Sequence, residues 1–194
     1  MNIAVLLPYK ENFSKNKAGA VSIFVNDTNK LSIFKNKITV YGSTSSKIRL
    51  KNYTNINLKK KIFFSTSNQY LKNFTKFIHN KKIDILEVHN RPQYINFLDK
   101  ISNFKKILYF HNDPLQMQGS ITIAERINLL NKTDIIVFNS NWSKSRFLID
   151  LPNSINLEKI RIVHQSTSKT NVNFKKKKKL ISFVGKLNSS KWYD

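Results

Sequence analysis

Residues 83–92 read IDILEVHNRP and residues 106–114 read KILYFHNDP, two apolar runs that each end in His-Asn and then a proline two residues further on. Short, nearly continuous apolar runs rich in Ile, Val and Leu are what strands covered on both faces look like, and such strands belong to parallel sheets. Working outward, runs of the same kind occur at Ile3 to Leu7, Ile38 to Tyr41, Ile62 to Ser65, Asp134 to Phe138 and Ile160 to His164. Between them lie longer stretches with helical spacing. Ala20 to Phe34 places Val21, Phe24, Val25, Thr28 and Leu31 on one side, and Tyr70, Leu71, Phe74, Phe77 and Ile78 recur at similar steps. Helix starts are signalled by Pro92 ahead of Tyr94 to Ile101, by Ser120 ahead of Ile121 to Leu130, and by Asn141 ahead of Trp142 to Ile149. Strand and helix in alternation predict an α/β fold, a Rossmann-like, doubly wound and mostly parallel sheet. Right-handed crossovers then put ligands at the carboxyl ends of its strands.

The chain has 194 residues, enough at roughly 150 per domain for one domain and a remnant. Residues 1–166 form the predicted Rossmann-like domain. Residues 167–179 are polar, end in five lysines and read as a linker, and residues 180–194 open a second domain with the strand Leu180 to Val184. Hydrophobic residues make up 40% of the chain, so a core can be buried. No apolar run approaches the roughly 20 residues that cross a bilayer, and the start lacks a basic region and a cleavage site. A cytoplasmic location is expected, with peripheral contact at the inner face of the membrane. With no cysteine, thiolate metal sites and thiol nucleophiles are excluded. A formal charge of +23 invites a polyanion reading. However, 29 of the 34 basic residues are Lys and 5 are Arg, against the bidentate chemistry that reads bases and phosphates. Lys, Asn and Ile all come from A/T-rich codons, which accounts for the excess, and no specific nucleic-acid partner is expected.

The candidate site residues follow the predicted strands. After the first comes a polar loop and then Ala18-Gly19-Ala20, where small residues let a ligand approach backbone N–H groups at a helix start. A plain turn is the competing account of Gly19. The two strand-end dipeptides bring His89, Asn90 and Arg91, and His111 and Asn112, toward one crevice. Imidazole exchanges protons near neutral pH, while Asn and Arg grip hydroxyls or anions. His111 carries more weight than His89, because Gly119 and Ser120 follow in a loop able to fold over a ligand. Asn139 ends the next strand and is a candidate for acceptor contact, whereas Ser140 or Asn141 reads as a helix cap. No hydrolase triad, metal cage or phosphate-binding loop of the Gly-Lys-Ser/Thr kind is present in the sequence.

The order of these pieces resembles retaining glycosyltransferases of family four, whose GT-B fold sets two Rossmann-like domains face to face. By that resemblance Gly19 and Ala20 adjoin the sugar nucleotide, and His111 lies by the transferred sugar and acceptor. The segment Ile181 to Asp194, with Gly185, Lys186, Leu187 and Lys191, is similar to the start of the family's donor domain. The resemblance makes Lys186 and Lys191 the neutralisers of the donor diphosphate, although Trp192 stands where the family usually has Gly. It implies a nucleotide-sugar donor, a glycan or lipid-linked acceptor, net retention, and neither a metal nor another cofactor; Asn90, Arg91 and Asn139 are the candidates for acceptor contact. The family's paired glutamates, eight positions apart, are not found among Glu11, Glu87, Glu125 and Glu158, so these 194 residues alone are expected to be inactive. The alternatives are a non-catalytic polyanion or RNA binder, a degenerate sugar-binding module, or another GT-B relative such as an epimerase.

Overall fold

The computed structural model describes residues 1–45, 51–58, 65–99, 101 and 104–165. Its elements are, in order, β1 (Ile3–Leu6), α1 (Ala20–Leu31), β2 (Ile38–Gly42), β3 (Tyr53–Asn55), α2 (Thr66–Ile78) and β4 (Ile85–His89). They continue with α3 (Gln93–Leu98), β5 (Lys105–Phe110), α4 (Ile123–Lys132), β6 (Ile135–Phe138), α5 (Asn141–Leu148) and β7 (Ile160–Ile162). The strands form one seven-stranded sheet in the order β3-β2-β1-β4-β5-β6-β7, and every pairing is parallel. The chain first winds outward from β1 to β3, then returns to lay β4 against the other side of β1. The predicted Rossmann-like α/β fold is therefore the fold observed. The winding reverses between β1 and β4, and there the loops after the two strands part and leave a crevice.

The two faces of the sheet are covered differently. On one, Tyr70, Leu71, Phe74 and Ile78 of α2, Tyr94, Ile95 and Leu98 of α3, Leu129 and Leu130 of α4 and Phe147 of α5 pack against Leu6, Leu86, Leu108, Phe110, Ile136 and Phe138. On the other, α1 lays Val21 and Val25 over Ile3, Val5, Leu7, Ile38 and Val40. Fully buried side chains of this size each contribute roughly 1.5–3 kcal/mol by leaving water, which makes the larger face the main source of stability.

Three helix boundaries differ from those read in the sequence. Helix α1 ends at Leu31, where Ser32 turns extended, so Leu31 and Ile33 stay 87% and 89% exposed and Leu31 is not on the buried side. Helix α4 begins after Thr122, not Ser120. The Thr122 hydroxyl accepts from the Glu125 backbone N–H at 3.2 Å, and the Glu125 carboxylate accepts from the Thr122 N–H at 3.0 Å, a reciprocal cap. Ser120 is buried instead and donates its hydroxyl to the Pro114 carbonyl. At α5 it is Ser140 that caps, accepting from the Ser143 N–H at 3.1 Å. The strand after β2 is the short Tyr53–Asn55, and the expected strand at Ile62 to Ser65 falls almost wholly outside the described residues, as do the linker and Leu180 to Val184.

Arg126 closes the far end of α5. Although on α4, it is 3% exposed, and its Nη1 donates to the carbonyls of Phe147 and Ile149, each at 2.6 Å. These are the carbonyls that a helix C-terminus leaves without intrahelical partners, and a cation there also suits the helix dipole. Arg126→Met keeps most of the packing and strands both acceptors, so it should cost about 2 kcal/mol. A urea titration reads that loss as a lower midpoint at unchanged slope.

Candidate functional site

The crest of the sheet at the carboxyl ends of β4, β5 and β6 carries most of the sequence-predicted residues. Asn90 follows β4 at φ 55°, a left-handed conformation in which Asn is one of the few comfortable side chains. It is 7% exposed; its N–H donates to the Tyr109 carbonyl at 2.8 Å, and its Oδ1 accepts from the His111 N–H at 3.0 Å. Asn139, after β6, donates from Nδ2 to the His111 carbonyl at 2.9 Å and accepts the Ser143 hydroxyl at 2.8 Å. Both asparagines thus brace the backbone of His111 from its two neighbouring strands.

The His111 ring is held as firmly. Its Nε2 lies 3.0 Å from His89 Nδ1, and its Nδ1 lies 3.1 Å from the side-chain nitrogen of Gln165. The Phe24 ring of α1 meets it edge-on at 5.1 Å, and Tyr109 stacks on His89 at 4.5 Å. Burial, and then the neighbouring His89, push the His111 pKa down to about 3. His111 is therefore a neutral imidazole at physiological pH, suited to exchanging hydrogen bonds with hydroxyls and unsuited to carrying charge.

Gly19 is the N-cap of α1, with Ala20 as its first residue. Its φ of −83° is ordinary, and a Cβ there would meet only the carboxylate of Glu11, the movable end of a side chain. Glu11 Oε1 accepts from the Ser22 N–H at 3.0 Å, so the anion position expected at this helix start holds the chain's own carboxylate. No sequence motif pointed to Glu11, because its contact depends on how the loop after β1 folds back.

Arg91 lies on the other side of the crest, lining a hollow of about 350 Å3 with Tyr9, Ser67, Asn90, Asn112 and Gln116. Arg91 Nη1 donates to the Asn90 carbonyl at 3.4 Å, and among the described residues no acidic side chain lines the hollow. A larger hollow of about 570 Å3, bounded by Asn26, Lys30, Lys35 and Lys51, lies along the C-terminal half of α1, away from the crest. The structure brings His111 and Asn139 together, with α1 reaching His111 through Phe24, and sets Arg91 on the other side of Asn90; Gly19 and Ala20 meet Glu11 instead. Lys186 and Lys191 lie outside the described residues. Among the described residues no group of three or more His, Asp or Glu side chains is placed to hold a metal, and no helix is long and apolar enough to cross a membrane.

No family model matches the chain, and no curated protein matches it. Solved structures do. It is similar to the lipopolysaccharide outer core galactosyltransferase WaaB, with a TM-score of 0.61 and 15% identity over 89% of this chain and 48% of that one. The sucrose-phosphate synthase of Thermosynechococcus elongatus gives a TM-score of 0.57 at 10% identity, covering 86% and 49%. HepE of Anabaena, solved in complex with UDP-glucose, gives 0.54 at 10% identity, covering 84% and 43%. The chain spans about half the length of each. At such identities the likeness establishes the fold, one Rossmann-like half of the kind these proteins contain, as the resemblance to GT-B glycosyltransferases implied.

Proposed function

We propose that this chain is the acceptor-side half of a retaining GT-B glycosyltransferase, which moves a sugar from a nucleotide-sugar donor to a glycan or lipid-linked acceptor. The observation that carries the reading is the crest itself, where neighbouring strand ends hold one neutral imidazole rigidly beside an amide-rich hollow with a single arginine. His111 meets a hydroxyl of the sugar or acceptor, and Arg91 takes the acceptor from the other side. Asn90 and Asn139 act by fixing the His111 backbone. In the whole enzyme the leaving diphosphate gathers negative charge, which the N–H groups at the start of α1 and the ammonium groups of Lys186 and Lys191 stabilise. The diphosphate must first displace Glu11 from the helix start. No step calls for a metal or another cofactor. The basic surface suits an acceptor presented at an anionic membrane, and the 194 residues alone bind without turning over. HepE, whose structure holds UDP-glucose, supports a nucleotide-sugar as the probe.

The test is a titration of the 15N-labelled chain with UDP-glucose at 50 and 200 mM salt. The expected result is movement of the Gly19 and Ser22 amides and of the His111 ring, with affinity changing by less than about tenfold between the two salts. Glu11→Gln should tighten binding several-fold and His111→Ala should weaken it about tenfold, or 1.4 kcal/mol. A phosphate-backbone binder behaves differently, losing roughly 1,000-fold or more over the same salt range. That outcome, or still spectra at Gly19 and His111, overturns the reading.

A further inference from the structure

Arginine is scarce in this chain, 5 residues against 29 lysines, and three of the four arginines among the described residues hold two acceptors at once. Arg126 spans the carbonyls of Phe147 and Ile149, Arg146 takes both oxygens of Asp113, and Arg161 spans the carbonyls of Glu158 and Ile160. A guanidinium carries five N–H donors in one plane, whereas an ammonium is a point charge, so the rarer residue stands where several donors are used together. Among the described residues Arg91 alone makes no such clamp. Its bond from Nη1 to the carbonyl of the preceding Asn90 is long at 3.4 Å, and no carboxylate of the described residues stands within ion-pair distance of it. The acid nearest in the chain beyond the hollow, Asp113, is already gripped by Arg146.

We propose that the Arg91 hollow binds an anionic sugar, one bearing a phosphate or carboxylate group, with the anion on Arg91 and the hydroxyls on Asn112 and Gln116. That this ligand is the acceptor rests on the sugar-transfer reading, whereas its charge is read from the hollow alone. A guanidinium with no counter-anion, set in a wall of uncharged polar side chains, is a site short of one negative charge. Lys10, whose Nζ stands 5.6 Å from the centre of the Tyr9 ring in that wall, adds a second cation at the rim. An oxyanion accepts two N–H bonds in the plane of the guanidinium, and such charge-assisted bonds are roughly twice as strong as the neutral ones a plain sugar hydroxyl would make. The anion alone does not fill the space. The side-chain amides of Asn112 and Gln116 hydrogen-bond no other described residue, and each offers both a donor and an acceptor, as hydroxyl groups require. A volume of about 350 Å3 lies at the small end of ligand sites, right for one sugar ring with its charged group and too small for a chain of sugars.

The test titrates the 15N-labelled full chain with glucose 6-phosphate, glucuronate, glucose and inorganic phosphate, and no nucleotide. Glucose 6-phosphate and glucuronate should move the Arg91 Nε–H resonance together with the side-chain amides of Asn112 and Gln116, and the tighter of the two identifies the anion. Glucose should bind about tenfold or more weakly than the tighter of them. Inorganic phosphate should reach Arg91 weakly and leave the two amides still. Arg91→Gln should abolish the preference over glucose, and Arg91→Lys, which keeps the charge without the fork, should restore only part of it. Glucose as tight as both charged sugars, inorganic phosphate as tight as glucose 6-phosphate, or a preference unchanged in Arg91→Gln would each overturn the proposal. A diffuse pull by the surface lysines gives the second of these results, because it does not distinguish one phosphate from another. The wild-type comparison of ligands decides by itself should a variant not fold. UDP-glucose moving Gly19 and His111 while both charged sugars leave Arg91 still would sink this proposal and spare the sugar-transfer reading; the converse would sink that reading and leave an anionic-sugar site.

Discussion

Gly119→Val is expected to cost about 3–5 kcal/mol, a large share of the 5–15 kcal/mol by which a domain of this size is held folded. Gly119 sits at φ 94°, where a side chain is strained, and a Cβ there would lie 2.6 Å from the backbone nitrogen of Gln93 and 2.8 Å from its Cα. Neither atom is the end of a flexible side chain. Gln93 opens α3, which buries Tyr94, Ile95 and Leu98, so moving it means unpacking the larger core. Nor can the loop retreat. The Ser120 hydroxyl donates to the Pro114 carbonyl at 2.6 Å, and Arg146 grips Asp113 through two bonds of 3.1 and 3.3 Å. Strain at φ adds about 1–3 kcal/mol and overpacking a comparable amount. The two causes separate in Gly119→Asn, which tolerates positive φ better but keeps the Cβ and should recover less than half of the loss. A nearly wild-type urea midpoint for the Asn variant would remove the close approach to Gln93 as the cause.

The sheet was legible because its central strands announce themselves. Leu86, Val88, Leu108 and Phe110 are buried against helices, and covered strands read as apolar runs. Strand β3 was not legible for the same reason turned round: Tyr53, Thr54 and Asn55 form an edge strand that is half-buried throughout and owes its place to pairing with β2. The site was readable as far as chain order could carry it. His89 and His111 both fall just past apolar runs, and adjacency of β4 and β5 brings them together. Glu11 and Gln165 were not readable, since the first arrives by a loop folding back on α1 and the second stands 54 positions from its partner. What chain order could not show at Asn90 is its left-handed backbone, which turns its oxygen onto the main chain of His111.

Acid should unfold this chain through His111, with a slope that can be isolated. The folded pKa is pushed down to about 3, whereas the same ring in the unfolded chain titrates near 6.5. Between these values the unfolded state binds a proton that the folded state refuses. The stabilising contribution is therefore fully present above about pH 6.5 and is lost as pH falls toward 3, by up to about 1.4 kcal/mol per unit. From pH 6.5 to pH 4 the loss is about 3 kcal/mol, comparable to deleting a core side chain. His111→Gln removes the mismatch and leaves the remaining groups to titrate as before, so the variant should lose about 3 kcal/mol less than wild type between pH 7 and pH 4. The measurement is the urea midpoint at constant slope across that range. Parallel curves for wild type and His111→Gln would mean that the imidazole is not kept neutral by its burial.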